Sequence, residues 1–469
     1  MNVSSNTQHS NISLPMRLAQ HARQRGQHPA IITATRTLNY RELHALVESL
    51  ARGLLSKEIA SGAVVGVSCS DEFQHLLLTL ALMRLGAAQY TAALAGDEAA
   101  KRLAATLVLD DQAVQDLLAA SHDAALPEPQ AVSPSSVYMA TSGTSGASKL
   151  VCLLDSDLVA QAPRHIVDES ERFACLAHIE HNFSKRHRLY CVAQGATNVF
   201  IDAPLASLSE QLSQLSVGTL HLSAYQAREL LSAPGLARLS SLRLKIGGSH
   251  VPMALRQRLQ AQISQDLHTG YGTTETGAIA FATGRDHDES ESVGRPLPGI
   301  QLRILDPAGQ PLAAGERGQI VIAGAGLFRN YHGQPELTAA RMIDGWFHTG
   351  DIGSLDEGGR LVLAGRADDM FVFNSMNIYP EELETVIRQF PGIVDAAVVP
   401  RSSAVHGDIP VALLQQAAGA DIDTAALRDY LRPRTGLRCP RQFVTVDRIP
   451  RNATGKIRRD AALALLEQG

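Results

Sequence analysis

With 469 residues, 45 % of them apolar and 19 % charged, and a net charge of −5, the chain has material for a large core and no basic footprint for nucleic acid or an anionic membrane. Its five cysteines (Cys69, Cys152, Cys175, Cys191 and Cys439) show no CxxC pairing, which argues against a zinc site and a disulfide framework and fits a reducing cytoplasm. The first fifteen residues are too polar for a signal peptide or an anchor, and no window reaches the apolar length of a membrane span.

From residue 38 the pattern becomes regular. Asn39 followed by Glu42 reads as a capping box, and Leu43, Leu46, Val47, Leu50 and Leu54 then recur on one face, predicting a helix to about Lys57. Residues 64–68 form a short apolar run and 75–85 a longer one closed by Gly86, so strand and helix alternate as in a layered α/β fold with parallel strands. Residues 97–134 carry no recognisable chemistry. Further strands are predicted at 198–202, 242–246 and 319–323, and a hairpin at 300–312 around Asp306-Pro-Ala-Gly309. Past Gly365 the texture changes: Pro380 opens a helix with Leu383, Val386, Ile387 and Phe390 on one face, ended by Pro391-Gly392, and short strands with one more helix follow. The expected organisation is a large layered α/β N-terminal domain, residues 1–367, and a small α+β domain, residues 368–469.

Five stretches carry chemistry. Thr141-Ser-Gly-Thr-Ser-Gly-Ala-Ser-Lys149 follows a short apolar run and reads as a phosphate cradle: Gly143 and Gly146 permit close backbone approach, Thr141, Ser142, Thr144 and Ser145 supply donors, and Lys149 adds charge. It is not a Walker loop, because Ser148 and Leu150 flank the lysine where that pattern needs Gly and Ser or Thr. Gly270-Tyr-Gly-Thr-Thr-Glu-Thr-Gly277 sets an aromatic ring, hydroxyls and a carboxylate at a tight glycine turn, a set suited to a nucleotide and a hard cation. Gly345-Trp-Phe-His-Thr-Gly-Asp351 offers a carboxylate for two ribose hydroxyls. Gly365-Arg-Ala-Asp-Asp369 offers a guanidinium for phosphate or ribose oxygens, and Pro450-Arg-Asn-Ala-Thr-Gly-Lys456 ends in a lysine. Taken singly, each acid in a glycine turn reads equally as a cap of its own loop.

In order and rough spacing the five resemble the adenylate-forming superfamily, whose members include acyl- and aryl-CoA synthetases, nonribosomal-peptide adenylation domains and luciferases. The resemblance runs from Asn39 to Asp460. It implies a large N-terminal domain, a small mobile C-terminal domain and two steps: a carboxylate attacks ATP to give an acyl-adenylate and pyrophosphate, then a thiol takes the acyl group and AMP leaves. On that resemblance residues 141–149 would wrap the β- and γ-phosphates, Tyr271, beside Gly272, would stack on adenine, Thr274 would bond the α-phosphate and Glu275 would hold Mg²⁺. Asp351 would take the ribose with Arg366 nearby, Lys456 would bridge the reacting oxygens, and Asp368 would be the hinge. Function in this form requires residues 141–149 and Tyr271 to Glu275 to share one cleft.

For the acid, His181-Asn182-Phe183 resembles the aryl-acid-activating branch, in which the Asn faces the ring, although the following Ser184-Lys-Arg-His-Arg188 is more basic than usual there. A structural role for the three residues stays open beside the functional one. Gly247, Gly248 and Ser249, before His250, match the loop that lines the acyl pocket. Ser148 departs from the usual proline before the cradle lysine, and Asn374 and Ser375 stand where relatives often carry glycine beside the pantetheine tunnel. The implied activity is an ATP-dependent carboxylic acid–thiol ligase, in the cytoplasm, acting on an aryl or medium-sized acyl acid. CoA or the phosphopantetheine of a carrier protein is the acceptor, and no carrier domain is fused after Lys456. The alternative is a non-catalytic nucleotide- or acyl-binding protein on the same fold.

Overall fold

The computed structural model describes residues 12–468 apart from 93–99, 106, 130–131, 142–148, 167, 285, 290, 374–375, 404–406 and 453–454. Asn39 caps the helix Tyr40–Ser56: its side chain accepts from the Glu42 amide at 2.9 Å, and the Glu42 carboxylate accepts from the Asn39 amide at 2.8 Å. Two orphan donors of the first turn are thereby satisfied. The helix Glu72–Arg84, capped by Asp71, is buried from Phe73 to Arg84 at every position except Gln74, because it runs through the interior with no solvent face to present.

Two sheets frame the N-terminal region. In the larger, of nine strands, Leu267–Thr273, Arg243–Gly247, Thr219–Ser223, Arg172–Cys175, Thr197–Val199 and Pro29–Ile32 run parallel in that spatial order, with antiparallel strands at both edges. In the second, Ser136–Thr141, Ala88–Thr91, Val64–Val67 and Leu107–Leu109 are parallel, and Lys149–Leu154 returns antiparallel against Ser136–Thr141. The helices Tyr40–Ser56, Glu72–Arg84 and Asn182–Gln194 pack between these sheets in one apolar core. A second core, with Leu220, Leu222, Leu244 and Ile246, covers the opposite face of the larger sheet beneath the helices Ala224–Ser232 and Met253–Gln262. Helices on both faces are what parallel strands require. They also open the carboxyl ends of the strands to a ligand.

A smaller antiparallel sheet built from Ile300–Leu305, Gly318–Gly324, Trp346–Leu355 and Leu361–Arg366 leads to the C-terminal region. Here one part of the sequence prediction is corrected. Ile300–Leu305 does turn at Asp306 to Gly309, but beyond a single bridge to Pro311 its ladder is made with Gly318–Gly324. Pro311 has no amide proton with which to continue pairing. The C-terminal region is a five-stranded sheet including Ile393–Ser403, Gly407–Gln416 and Gln442–Val446, with the helices Pro380–Ile387 and Thr424–Thr435 packed in one core and Arg459–Gln468 beside another. All five cysteines are buried free thiols. Among the described residues no helix is long and apolar enough to cross a membrane.

Candidate active site

Three groups of predicted site residues meet at the carboxyl ends of the parallel strands. Thr141 ends its strand directly opposite Lys149. Ser142, Gly143, Thr144, Ser145 and Gly146 lie outside the described residues, as do Ser148, Asn374 and Ser375. The strand Asn330–Tyr331 flanks the hairpin by pairing with Lys149–Leu154. It places the Tyr331 ring 5.9 Å from the Lys149 ammonium, and the Tyr331 hydroxyl donates to Glu275 at 2.7 Å. One phenol therefore lies between Lys149, at the end of the expected cradle, and the predicted cation-binding carboxylate. Burial and the neighbouring Glu275 raise the Tyr331 phenol well above its ordinary range, so at neutral pH it is a hydrogen-bond donor. Nothing in the sequence around Tyr331 singles it out.

The strand Leu267–Thr273 folds back onto Gly277–Thr283 with an irregularity between Tyr271 and Gly272. A β-carbon at Gly272 would stand 2.3 Å from the Gly277 carbonyl oxygen, so the turn needs glycine there. The turn is braced from below. Arg186, 5 % exposed, donates to the carbonyls of Thr273 at 3.3 Å and Thr274 at 2.6 Å. Replacing Arg186 by leucine leaves both carbonyls unpaired and is expected to lower kcat/KM for ATP about tenfold or more, from the ~1.5–3 kcal/mol of hydrogen bonds to a charged donor. Calorimetric affinity for the acid should be unchanged; an equal loss for acid and nucleotide would assign Arg186 to the core alone.

Asp351 pairs with Arg366 across adjacent strands and is 8 % exposed. The Tyr271 hydroxyl donates to one of its oxygens at 2.5 Å and Arg366 to the other at 3.1 Å. Tyr271, expected beside adenine, thus also fixes the predicted ribose carboxylate. Burial raises the proton affinity of Asp351, opposed by Arg366, by the Tyr271 hydrogen bond and by the charge of Lys456. The charge of Lys456 thus acts on Asp351 from the far end of the chain. Its turn is closed by two bonds: the Lys456 amide donates to the Asn452 side chain and the Asn452 amide to the Lys456 carbonyl, each at 2.9 Å. Gly455, at φ +82°, packs where a β-carbon would stand 3.1 Å from that of Tyr225 on the helix Ala224–Ser232. Asp368 is held by Arg366 at 3.0 Å and approached by Arg341 at 3.8 Å.

Of the residues expected to line the acid pocket, Phe183 and Gly247 lie side by side. A β-carbon at Gly247 would lie 3.8 Å from the Phe183 ring, whereas one at Gly248 would meet nothing within 4 Å. Ser249 is half-buried on the same loop, and His181, half-buried, precedes the helix Asn182–Gln194. The Asn182 side-chain amide donates to the Ala140 carbonyl at 2.6 Å. The basic run beyond Phe183 is entirely internal. Lys185 donates to Thr91 at 3.3 Å, Arg186 braces the nucleotide turn, His187 lies 3.1 Å from His165, and Arg188 donates to the Val199 carbonyl at 2.9 Å while covering the Phe200 ring. Each of the four basic heads thus has at least one partner, as interior charge requires, although Ser184 Oγ and the Nε atoms of Arg186 and Arg188 have none among the described residues.

Among the described residues no cluster of three or more His, Cys, Asp or Glu could cage a cation. Glu275 is a single carboxylate joined through Tyr331 to Lys149, and a lone carboxylate would suit Mg²⁺, which is commonly held by one or two carboxylates plus substrate phosphates.

The model of the AMP-binding enzyme family matches residues 18–95 and 88–332, and that of the AMP-binding enzyme C-terminal domain matches residues 382–456. The chain belongs to the AMP-binding enzyme family. This family membership places it in the adenylate-forming superfamily, as the sequence resemblance implied. Relatives in the family include the 3-[(3aS,4S,7aS)-7a-methyl-1,5-dioxo-octahydro-1H-inden-4-yl]propanoyl:CoA ligase of Mycobacterium tuberculosis, 29 % identical over 95 % of this chain and 97 % of that one. The fatty acid–[acyl-carrier-protein] ligase ScoC of Streptomyces coeruleorubidus is 30 % identical over 53 % of this chain and 50 % of its own length. The fold is also that of o-succinylbenzoate CoA synthetase, MenE, from Bacillus subtilis in complex with an acyl-adenylate intermediate, with a TM-score of 0.84 at 22 % identity over 95 % of this chain and 97 % of that one.

Proposed function

We propose that this AMP-binding enzyme is an ATP-dependent carboxylic acid–CoA ligase that works through an acyl-adenylate. The observation that supports it most is that Tyr331 lies between Lys149 and Glu275 while Tyr271, four residues before Glu275, holds Asp351, so that three of the expected groups are linked through two phenols. In the first step a substrate carboxylate oxygen bonds to the α-phosphorus and the bond to pyrophosphate breaks. Thr141 and Lys149 hold the outgoing phosphates, Thr274 bonds the α-phosphate, Asp351 and Arg366 orient the ribose, and Lys456 faces the charge that develops on the bridging oxygens. Glu275 would hold Mg²⁺ against the phosphates, where the ion neutralises their charge. In the second step a thiol sulfur attacks the adenylate carbonyl, the acyl–phosphate bond breaks, and AMP leaves as the thiol proton passes to solvent. Lys456 and the thiol need the same side of that carbonyl, so the small domain turns about Asp368 between steps.

The acid is an aryl or medium-sized acyl acid, and Phe183 and Gly247, which lie side by side, are the residues that would border it. The relative that ligates CoA over nearly its whole length favours CoA as acceptor, and the shorter match to ScoC keeps a carrier-protein phosphopantetheine as the second reading. Pyrophosphate–ATP exchange over benzoates, cinnamates and fatty acids tests the first step; exchange should appear with some of them, and silence across the panel would reject adenylation. Thioester formation with CoA and with a phosphopantetheinylated carrier then decides the acceptor.

A further inference from the structure

The short strand Asn330–Tyr331 is seated from two sides. The Tyr331 amide donates to the Thr338 hydroxyl at 3.0 Å, and in register the residue pairs with Val151, two positions after Lys149. Tyr331 is 3 % exposed, and its ring packs on Phe328, which packs on Phe347 in turn, with centroids 4.8 and 5.2 Å apart. A phenol so confined delivers its hydroxyl to one place. Both ends of Glu275 meet this stretch: the Phe328 amide donates to the Glu275 carbonyl at 2.8 Å, and the Tyr331 hydroxyl donates to Oε1 of its carboxylate at 2.7 Å. The other carboxylate oxygen, Oε2, has no hydrogen-bond partner among the described residues, and Glu275 forms no ion pair among them, although the Lys149 ammonium stands 5.9 Å from the same ring.

We propose that Tyr331 is a positioning residue for the first step: its hydroxyl fixes one oxygen of Glu275 so that the other is presented to the divalent cation that accompanies ATP. This rests on the ligase reading of the site.

Order is the first reason. A glutamate left to itself surrenders side-chain freedom each time it takes a cation, whereas one already held by a buried phenol has done so in advance. Among the described residues no cluster of acids backs Glu275 up, so the aim of this one carboxylate is not corrected by a neighbour. Charge is the second. A lysine or arginine in place of the phenol would satisfy the oxygen but cancel the negative charge on which cation binding depends; a neutral hydroxyl orients the carboxylate and leaves its charge in place. The fold supplies the third. Residues 328–331 are bonded to the turn that carries Glu275 and paired to the strand that begins at Lys149, so one rigid stretch sets the carboxylate relative to the end of the expected cradle.

Calorimetry of ATP binding over a Mg²⁺ titration tests this without turnover, with AMP, measured in the absence of metal, as the control for an intact nucleotide site. In Tyr331→Phe the Mg²⁺ concentration that gives half of the gain in ATP affinity should rise about tenfold or more, on the about 10–100-fold scale of a lost partner to a metal ligand, while the Kd for AMP stays within about twofold of the wild type. In a Glu275→Gln background the same substitution should shift the Mg²⁺ requirement by less than about twofold, because no carboxylate is left to position. An unchanged Mg²⁺ requirement in Tyr331→Phe, an equal loss for AMP, or an equal shift in the Glu275→Gln background overturns the assignment and leaves Tyr331 a packing residue. So does a wild type that binds no ATP or binds it without regard to Mg²⁺. Absence of pyrophosphate exchange with every acid would reject the ligase reading instead, and the binding measurements would still decide the role of Tyr331.

Discussion

Replacing Lys456 by alanine is expected to slow adenylate formation about 10²–10³-fold, the loss seen when a preorganised transition-state donor is removed. Thioester formation from supplied acyl-adenylate should be nearly unaffected. The reason is positional: the lysine is exposed on a turn fixed by Asn452 and Gly455, makes no ion pair among the described residues, and yet acts electrostatically on buried Asp351. Its removal costs the fold little and the cleft a cation. Pyrophosphate exchange reads the first step and single-turnover thioester formation the second. Equal damage to both would refute the role.

Asp368→Pro is expected to slow the second step about 10²-fold, on the scale by which a misplacement of about 1 Å can slow a reaction, while leaving the first step close to the wild type. Proline fixes φ at the residue about which the domain would turn. The substitution also removes the contacts of Asp368 with Arg366 and Arg341, so Asp368→Ala is the needed control. If alanine harms the second step as much as proline, the effect belongs to the lost ion pairs and the pivot lies elsewhere.

What could be read from the chain beforehand follows from how local each signal is. The capping box at Asn39 and Glu42 depends on residues three apart, and it stands as predicted. The order of glycine-rich turns survives because each turn carries its own backbone requirement, as at Gly272. The run from Ser184 to Arg188 looks solvated in one dimension because its partners, among them Thr91, His165, Thr273 and Val199, are far away in sequence. Tyr331 was invisible for the same reason. It matters through a neighbour that only the packed sheets supply, Glu275 across 56 residues.

The hydrogen bonds on Asp351 have a kinetic meaning. Both its oxygens already have protein donors, from Tyr271 and Arg366. If Asp351 takes the ribose as proposed, the arriving hydroxyls would have to share or exchange these partners, so the net gain would be the difference between two satisfied states rather than the full strength of new bonds. When the nucleotide goes, Tyr271 and Arg366 close over the carboxylate and leave no stranded charge behind. On the proposed reading such a site would hold its nucleotide moderately and let spent AMP go, so that turnover would not be throttled by a product bound too well.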